Sequence, residues 1–267
     1  MAIRWGLAGA LLFAFAAPRG DRAADPLGAR QWLATLVLAL LLLGAGNGAV
    51  FFAEQYVSSG LTALLAGTMP IWAALLAAVI DRRGIPPLAV AGLALGMVGL
   101  VILLDPRGGP NGNPFAIGIA LGGAALFGLG SVMAPRLPVP KRPLVSAAMQ
   151  MLWASVFFAI VAALGGQWPA SIGVITHPWS PGFTATFLWL VFCAGLLAFV
   201  AYLWLLNNVS LLLANSYAFV NPAIAVALGV IMLGEPLTVR VVAGAAVVVA
   251  AVTLTVIAPR KRIEETP

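Results

Sequence analysis

Charged side chains are scarce in this sequence. Asp, Glu, Lys and Arg make up 8% of its 267 residues, against 62% hydrophobic. A soluble domain carries about a quarter charged residues, so no water-facing surface can be built from this supply. Cysteine and histidine are scarcer still, at one each, Cys193 and His177. A single cysteine excludes an intrachain disulfide. Cys193 also lies in an apolar run, where packing is its default role. The apolar runs hold no pair of carboxylates, so the clustered ligands and acid–base groups of a membrane enzyme are missing. The expectation is no catalytic residue, no metal and no cofactor.

What remains is long apolar runs. Several exceed the roughly 18 residues that read as a membrane span. They are continuous rather than alternating, which indicates helices and not a barrel. The fold class expected is all-α, a polytopic transmembrane bundle. The net charge of +6 then reads as an orientation signal, and no nucleic-acid partner is expected. Nine spans are predicted, at about 3–17, 32–53, 59–80, 86–104, 114–133, 144–164, 183–206, 210–232 and 237–257. Connections rich in Pro and Gly, such as DRRGIPP and DPRGGPNGNP, mark their ends.

Basic residues orient the spans. With the tail PRKRIEETP placed in the cytoplasm, the inside loops hold Arg19, Arg22, Arg30, Arg82, Arg83, Arg136, Lys141, Arg142, Arg260, Lys261 and Arg262. Only Arg4, Arg107 and Arg240 fall outside, a strong bias. The expected location is a bacterial inner membrane, multi-pass, with a cytoplasmic C-terminus.

The chain also repeats itself. A shift of 152 places Val57, Ser58, Ala66, Pro70, Ala73, Leu76, Val90, Gly92 and Ala94 on Val209, Ser210, Ala218, Pro222, Ala225, Leu228, Val242, Gly244 and Ala246. The second to fourth spans thus recur as the seventh to ninth. The third and eighth run in opposite directions, so the copies are inverted, as in secondary transporters. The first span, ending AFAAP, also has the look of a cleavable signal peptide; the repeat argues against that.

Resemblance adds to this reading. AEQYVSSGLTALL with MPIW, GNPFAIG with FGLGSV, NNVS, SYAFVNP, GEPLT and IRWGLAGALL resemble the helix signatures of the EamA branch of the drug/metabolite transporter superfamily. The resemblance implies two inverted EamA repeats, five helices each in the family and four plus five here. Residues 1–108 are the first repeat, incomplete at its N-terminus; residues 113–258 are the second; residues 259–267 are a cytoplasmic tail. The family's first helix, with its Trp-Gly-Ser motif, has no counterpart; either the start codon is placed too late, in which case an in-frame upstream extension is expected to encode it, or the gene is truncated. Asp81-Arg82-Arg83 stands where the family often has the Gly-Glu pair seen at Gly234-Glu235.

Candidate site residues follow from the prolines. Pro70 and Pro222 are repeat partners near the middle of two spans. Each is expected to free the carbonyl four residues back, at Ala66 and Ala218. Paired proline-interrupted spans point to a transporter's binding site. Thr68, Met69 and Trp72 flank the first proline. Tyr217 and Asn221 share a helix face beside the second. Asn47 faces either the cavity or a close helix contact. The family resemblance implies that Phe127, Ser131 and Tyr202 line the cavity. Glu54, at the end of the second span, is a candidate for proton coupling or a solvated interfacial carboxylate; Asp81, Asp105 and Glu235 read as interfacial. Gly92 with Gly96, and Gly118 with Gly122, form GxxxG patterns that suit intrachain packing and a homodimer contact equally.

The function expected is export of a small neutral or zwitterionic metabolite, amino-acid-like or amphipathic, by alternating access around a central cavity. The absence of midplane acids argues against cationic drugs, and that of midplane bases against phosphorylated sugars. The alternative is a non-transporting sensor or scaffold, or an inactive truncated family member.

Overall fold

The computed structural model describes residues 1–19, 27–104, 113–166, 179–233 and 238–257. The described residues form helices and no strand. In chain order these are α1 (Ala2–Ala16), α2 (Ala29–Ala53), α3 (Ser59–Asp81), α4 (Pro87–Leu104), α5 (Pro114–Met133), α6 (Pro143–Leu164), α7 (Pro181–Asn208), α8 (in two pieces, Leu211–Asn215 and Tyr217–Leu233) and α9 (Val239–Ile257). Each coincides with a predicted span. Helices α2 to α7 are long and apolar enough to cross a membrane. Arg22, Asp105, Arg107, His177, Gly234, Glu235, Arg260, Lys261 and Arg262 lie outside the described residues.

Proline explains several of the boundaries. Pro87, Pro114, Pro143 and Pro181 each open a helix. The first-turn N–H has no partner in a helix, so its absence costs nothing there, and the fixed φ of the ring suits the first position.

Helix packing forms two compact units: residues 1–45 with 133–208, and residues 46–132 with 209 onward. The division falls inside α2, in a stretch wound as π-helix over Ala39–Asn47. Helix α7 has its own π-wound stretch at Phe192–Leu197. The 152-residue shift carries the second into the first, so the two copies share this distortion as well as their sequence.

In the first unit, α1 lies close on α6. A methyl carbon on Gly9 would stand 3.0 Å from the backbone nitrogen of Leu152, tighter than ordinary contact. Ser155 Oγ donates to the Ala2 carbonyl at 2.9 Å. The Trp153 indole N–H donates to the Trp32 carbonyl at 3.1 Å, which ties α2 to α6. Trp5 of α1 meets Phe199 of α7 edge-on, with centroids 6.0 Å apart.

In the second unit, α4 and α9 make the closest pair, and glycine permits it. Added methyl carbons would stand 2.8 Å from Thr255 Cγ2 at Gly92 and 2.9 Å from Leu103 Cα at Gly244. Under the repeat, Gly92 maps onto Gly244 and Leu103 onto Thr255. Each contact is therefore the other with the copies exchanged. Reciprocal contact between antiparallel helices requires a two-fold axis perpendicular to both. In membrane-crossing helices that axis lies in the membrane plane, the symmetry of an inverted repeat. Gly96 abuts the ring of buried Phe219 on α8. The Gly92–Gly96 pattern is thus filled within the chain, whereas Gly118 and Gly122 have no neighbour within 4 Å.

Candidate functional site

Helices α3 and α8 begin alike. Ser58 and Ser210, repeat partners, each sit before the first turn with extended backbone. Each hydroxyl accepts an otherwise unpaired N–H, from Leu61 and Leu213 respectively, both at 3.3 Å. Further along, each helix tightens at a hydroxyl residue. In α3, Thr68 N–H donates to the Leu65 carbonyl at 3.1 Å, and Ile71 N–H to the Thr68 carbonyl at 2.9 Å. The Thr68 hydroxyl takes the Leu65 carbonyl as well, at 2.6 Å. In α8, Ser216 N–H is shared between the Leu212 carbonyl at 2.9 Å and the Leu213 carbonyl at 3.2 Å, and Phe219 N–H reaches the Ser216 carbonyl at 3.0 Å. The Ser216 hydroxyl donates to the Leu213 carbonyl at 2.8 Å. These three-residue bonds mark a turn of 3₁₀ winding inside each span, a recurrent sign of a hinge or strained site.

The two turns are not placed as the prolines suggest. Thr68 and Ser216 are 148 positions apart, four fewer than the repeat, so the turn in α8 comes one helical turn earlier. Pro70 consequently lies in the first turn of the piece Met69–Asp81, where its missing N–H is harmless. The break at Gly67 and Thr68 lies just before Pro70, which has no N–H to offer the Ala66 carbonyl. Pro222 lies within Tyr217–Leu233 and removes the donor to the Ala218 carbonyl, as expected.

Helix α5 gathers the polar groups. Ser131, fully buried, has its hydroxyl 2.8 Å from the Phe127 carbonyl and 3.1 Å from Asn215 Oδ1. Asn215, equally buried, lies immediately before the turn in α8, and its Nδ2 donates to the Leu211 carbonyl at 2.9 Å. That bond fixes Oδ1 as the atom facing Ser131. The Phe127 ring lies 6.4 Å from that of Tyr217. On α5, a methyl carbon at Gly128 would stand 2.8 Å from the Ala73 nitrogen and 3.0 Å from Trp72 Cβ. Trp72, Phe127, Ser131 and Tyr217 thus meet where α5 crosses the tightened parts of α3 and α8.

The other candidates are placed as follows. Thr68 is half-buried, and Met69 and Pro70 are buried, in the turn leading to Trp72. Pro222 is buried, while Asn221 is exposed one turn beyond Tyr217. Asn47 is half-buried at the end of the π-wound stretch of α2. Tyr202 is buried but belongs to the first unit. Glu54 is exposed just past α2, where partial burial pushes its carboxyl pKa up. Asn215 was not foreseen. Its one signal is an amide residue in the apolar run LLLAN, directly before SYAFVNP. Among the described residues no three His, Cys, Asp or Glu side chains gather as a metal site.

The profile of the EamA-like transporter family matches residues 1–105 and 114–257. This chain belongs to the EamA-like transporter family. Among its relatives is the uncharacterized inner membrane transporter YedA of Escherichia coli K12, 34% identical over 237 residues, covering 88% of this chain and 74% of that protein. The uncharacterized transporter YvbV of Bacillus subtilis 168 is 25% identical over 223 residues, covering 84% and 71%. A solved crystal structure superposes with a TM-score of 0.73 at 19% identity, over 96% of this chain and 86% of the other, and shares the fold. In this EamA-like transporter the tightened turns therefore lie in a membrane carrier.

Proposed function

We propose that this membrane transporter exports a small neutral or zwitterionic metabolite, amino-acid-like or amphipathic, across a bacterial inner membrane by alternating access of its inverted repeats. One observation carries the reading: repeat-related α3 and α8 both tighten at a hydroxyl residue inside an apolar span, and polar side chains gather there. Distorted spans in corresponding helices of the two repeats, here offset by one helical turn, are where transporters expose backbone to a substrate.

The substrate would be held by Tyr217 and Asn221, with Trp72 and Phe127 supplying apolar walls and Thr68, Met69, Pro70, Ser131, Asn215 and Pro222 shaping the backbone. An exposed amide at Asn221 is costly against hydrocarbon, which supports a water-filled approach on that face. Tyr202 and Asn47 would contact the solute in other parts of its passage. No charged side chain stands in this cluster, so the site suits a ligand without net charge. Glu54, with its raised pKa, is the proposed proton-linked group.

Everted vesicles carrying the protein should accumulate one or more radiolabelled amino acids above empty-vesicle controls. Accumulation should fall when Glu54→Gln removes the titratable group. If no labelled metabolite in a broad panel is moved above control, the export reading fails.

A further inference from the structure

We propose that Gln150 of α6 is a further substrate-contact residue, its side-chain carbonyl taking a hydrogen bond from an N–H or O–H of the transported molecule. The inference rests on the transporter reading above and adds to it a residue and a ligand chemistry.

Gln150 is fully buried. It is the eighth residue of α6, about 10 Å of helix rise from Pro143. That is about a third of the way along an apolar span of 22 residues. Its Nε2 donates to Ser146 Oγ at 3.2 Å, while its Oε1 meets no donor. Exchanging the amide atoms would only move the deficit from the carbonyl to the N–H.

The orientation of the side chain matters as much as its burial. Met151, Leu152 and Ser155 form the face of α6 that packs on α1 at Gly6 and Gly9. Gln150 and Ser146, four residues apart, lie on roughly the opposite face. The amide is therefore not needed for the α1 contact. A leucine or methionine would fill similar space without leaving a polar atom bare. An orphaned carbonyl at this depth calls for a donor that the described residues do not supply. A carboxamide oxygen accepts from an ammonium, an amide N–H or a hydroxyl, and repels carboxylate and phosphate oxygens. It thus selects a solute that presents a donor to it, as a neutral or zwitterionic metabolite does.

The lone cysteine makes a direct test simple. Cys193→Ala gives a thiol-free parent, into which Gln150→Cys, Ser146→Cys and Met151→Cys are introduced separately. Vesicles of both orientations are treated with methanethiosulfonate ethyltrimethylammonium, a water-soluble cation. The Gln150→Cys and Ser146→Cys proteins should be modified about tenfold faster or more than the Met151→Cys protein, because a thiol buried in apolar packing is inert. Rates equal to that of Met151→Cys overturn the proposal. In a second measurement, Gln150→Leu should melt no lower than the parent yet move a labelled amino acid at least several-fold more slowly; unchanged transport also overturns it. Should the parent move no amino acid, the export reading falls, while labelling still supports or rejects a polar pathway at Gln150.

Discussion

At the scale of single residues, burial separates the two asparagines of α8. Asn215 is enclosed and bonded to both Ser131 and Leu211, whereas Asn221 is exposed. Asn215→Ala strands the Ser131 contact and leaves a small void, so it should cost about 1–3 kcal/mol of stability, read as a lower melting temperature in detergent. Asn221→Ala should melt like the parent and still transport poorly. The reverse pattern would exchange their roles. Glycines divide in the same way. Gly128→Ala drives a methyl against the backbone of Ala73, which cannot rotate aside, and overpacking of this kind costs about 1–3 kcal/mol. Gly122→Ala meets open space, so its higher helix propensity should leave the protein as stable or slightly more so. Thermal melts of the two variants check the contrast. The sequence placed Gly122 in a GxxxG pattern and Gly128 in FGLGSV; which one touches a backbone depends on where α5 crosses α3.

At the scale of helices, Pro222 lies inside the second piece of α8, whereas Pro70 lies in the first turn of the second piece of α3. The sequence pairs Pro70 with Pro222, and both lie well inside apolar runs. What it could not show is the register of the tightened turn, which depends on which local hydroxyl, Thr68 or Ser216, captures the carbonyl three residues back. Pro222→Ala should therefore restore a ladder bond to Ala218, raise the melting temperature and slow transport. Pro70→Ala, in a first turn that needs no N–H there, should change stability far less. Equal effects from the two would show that their positions in the helices do not matter. The caps follow the repeat more closely: Ser58→Ala and Ser210→Ala should each lose about 0.5–2 kcal/mol, the usual value of an N-cap hydroxyl.

At the scale of the molecule, the reciprocal packing of α4 and α9 supports the inverted repeat read from sequence. Inversion alone does not say which side is cytoplasmic. The charge bias of the loops predicts it. A phosphatase or fluorescent reporter after Pro267 is expected to report cytoplasm, and one placed between α6 and α7 the outside. The opposite pattern would overturn the assignment while leaving the internal symmetry intact.

The sequence by itself determined the class, the spans and the repeat. Hydrophobicity in hydrocarbon is a local requirement: each run must be long, apolar and internally hydrogen-bonded whatever surrounds it. Thus every described helix coincides with a predicted span. Proline fixed helix starts for the same local reason. The tertiary structure decided what depends on partners distant in sequence. It showed that Asn215 meets Ser131, that Gly92 and Gly96 are filled from within the chain, that the turn in α8 precedes its proline by more than a helical turn, and that Gln150 is buried with a bare carbonyl. None of these leaves a periodic trace, because an amide or a glycine in an apolar run looks the same whether a partner helix, lipid or a passing solute covers it.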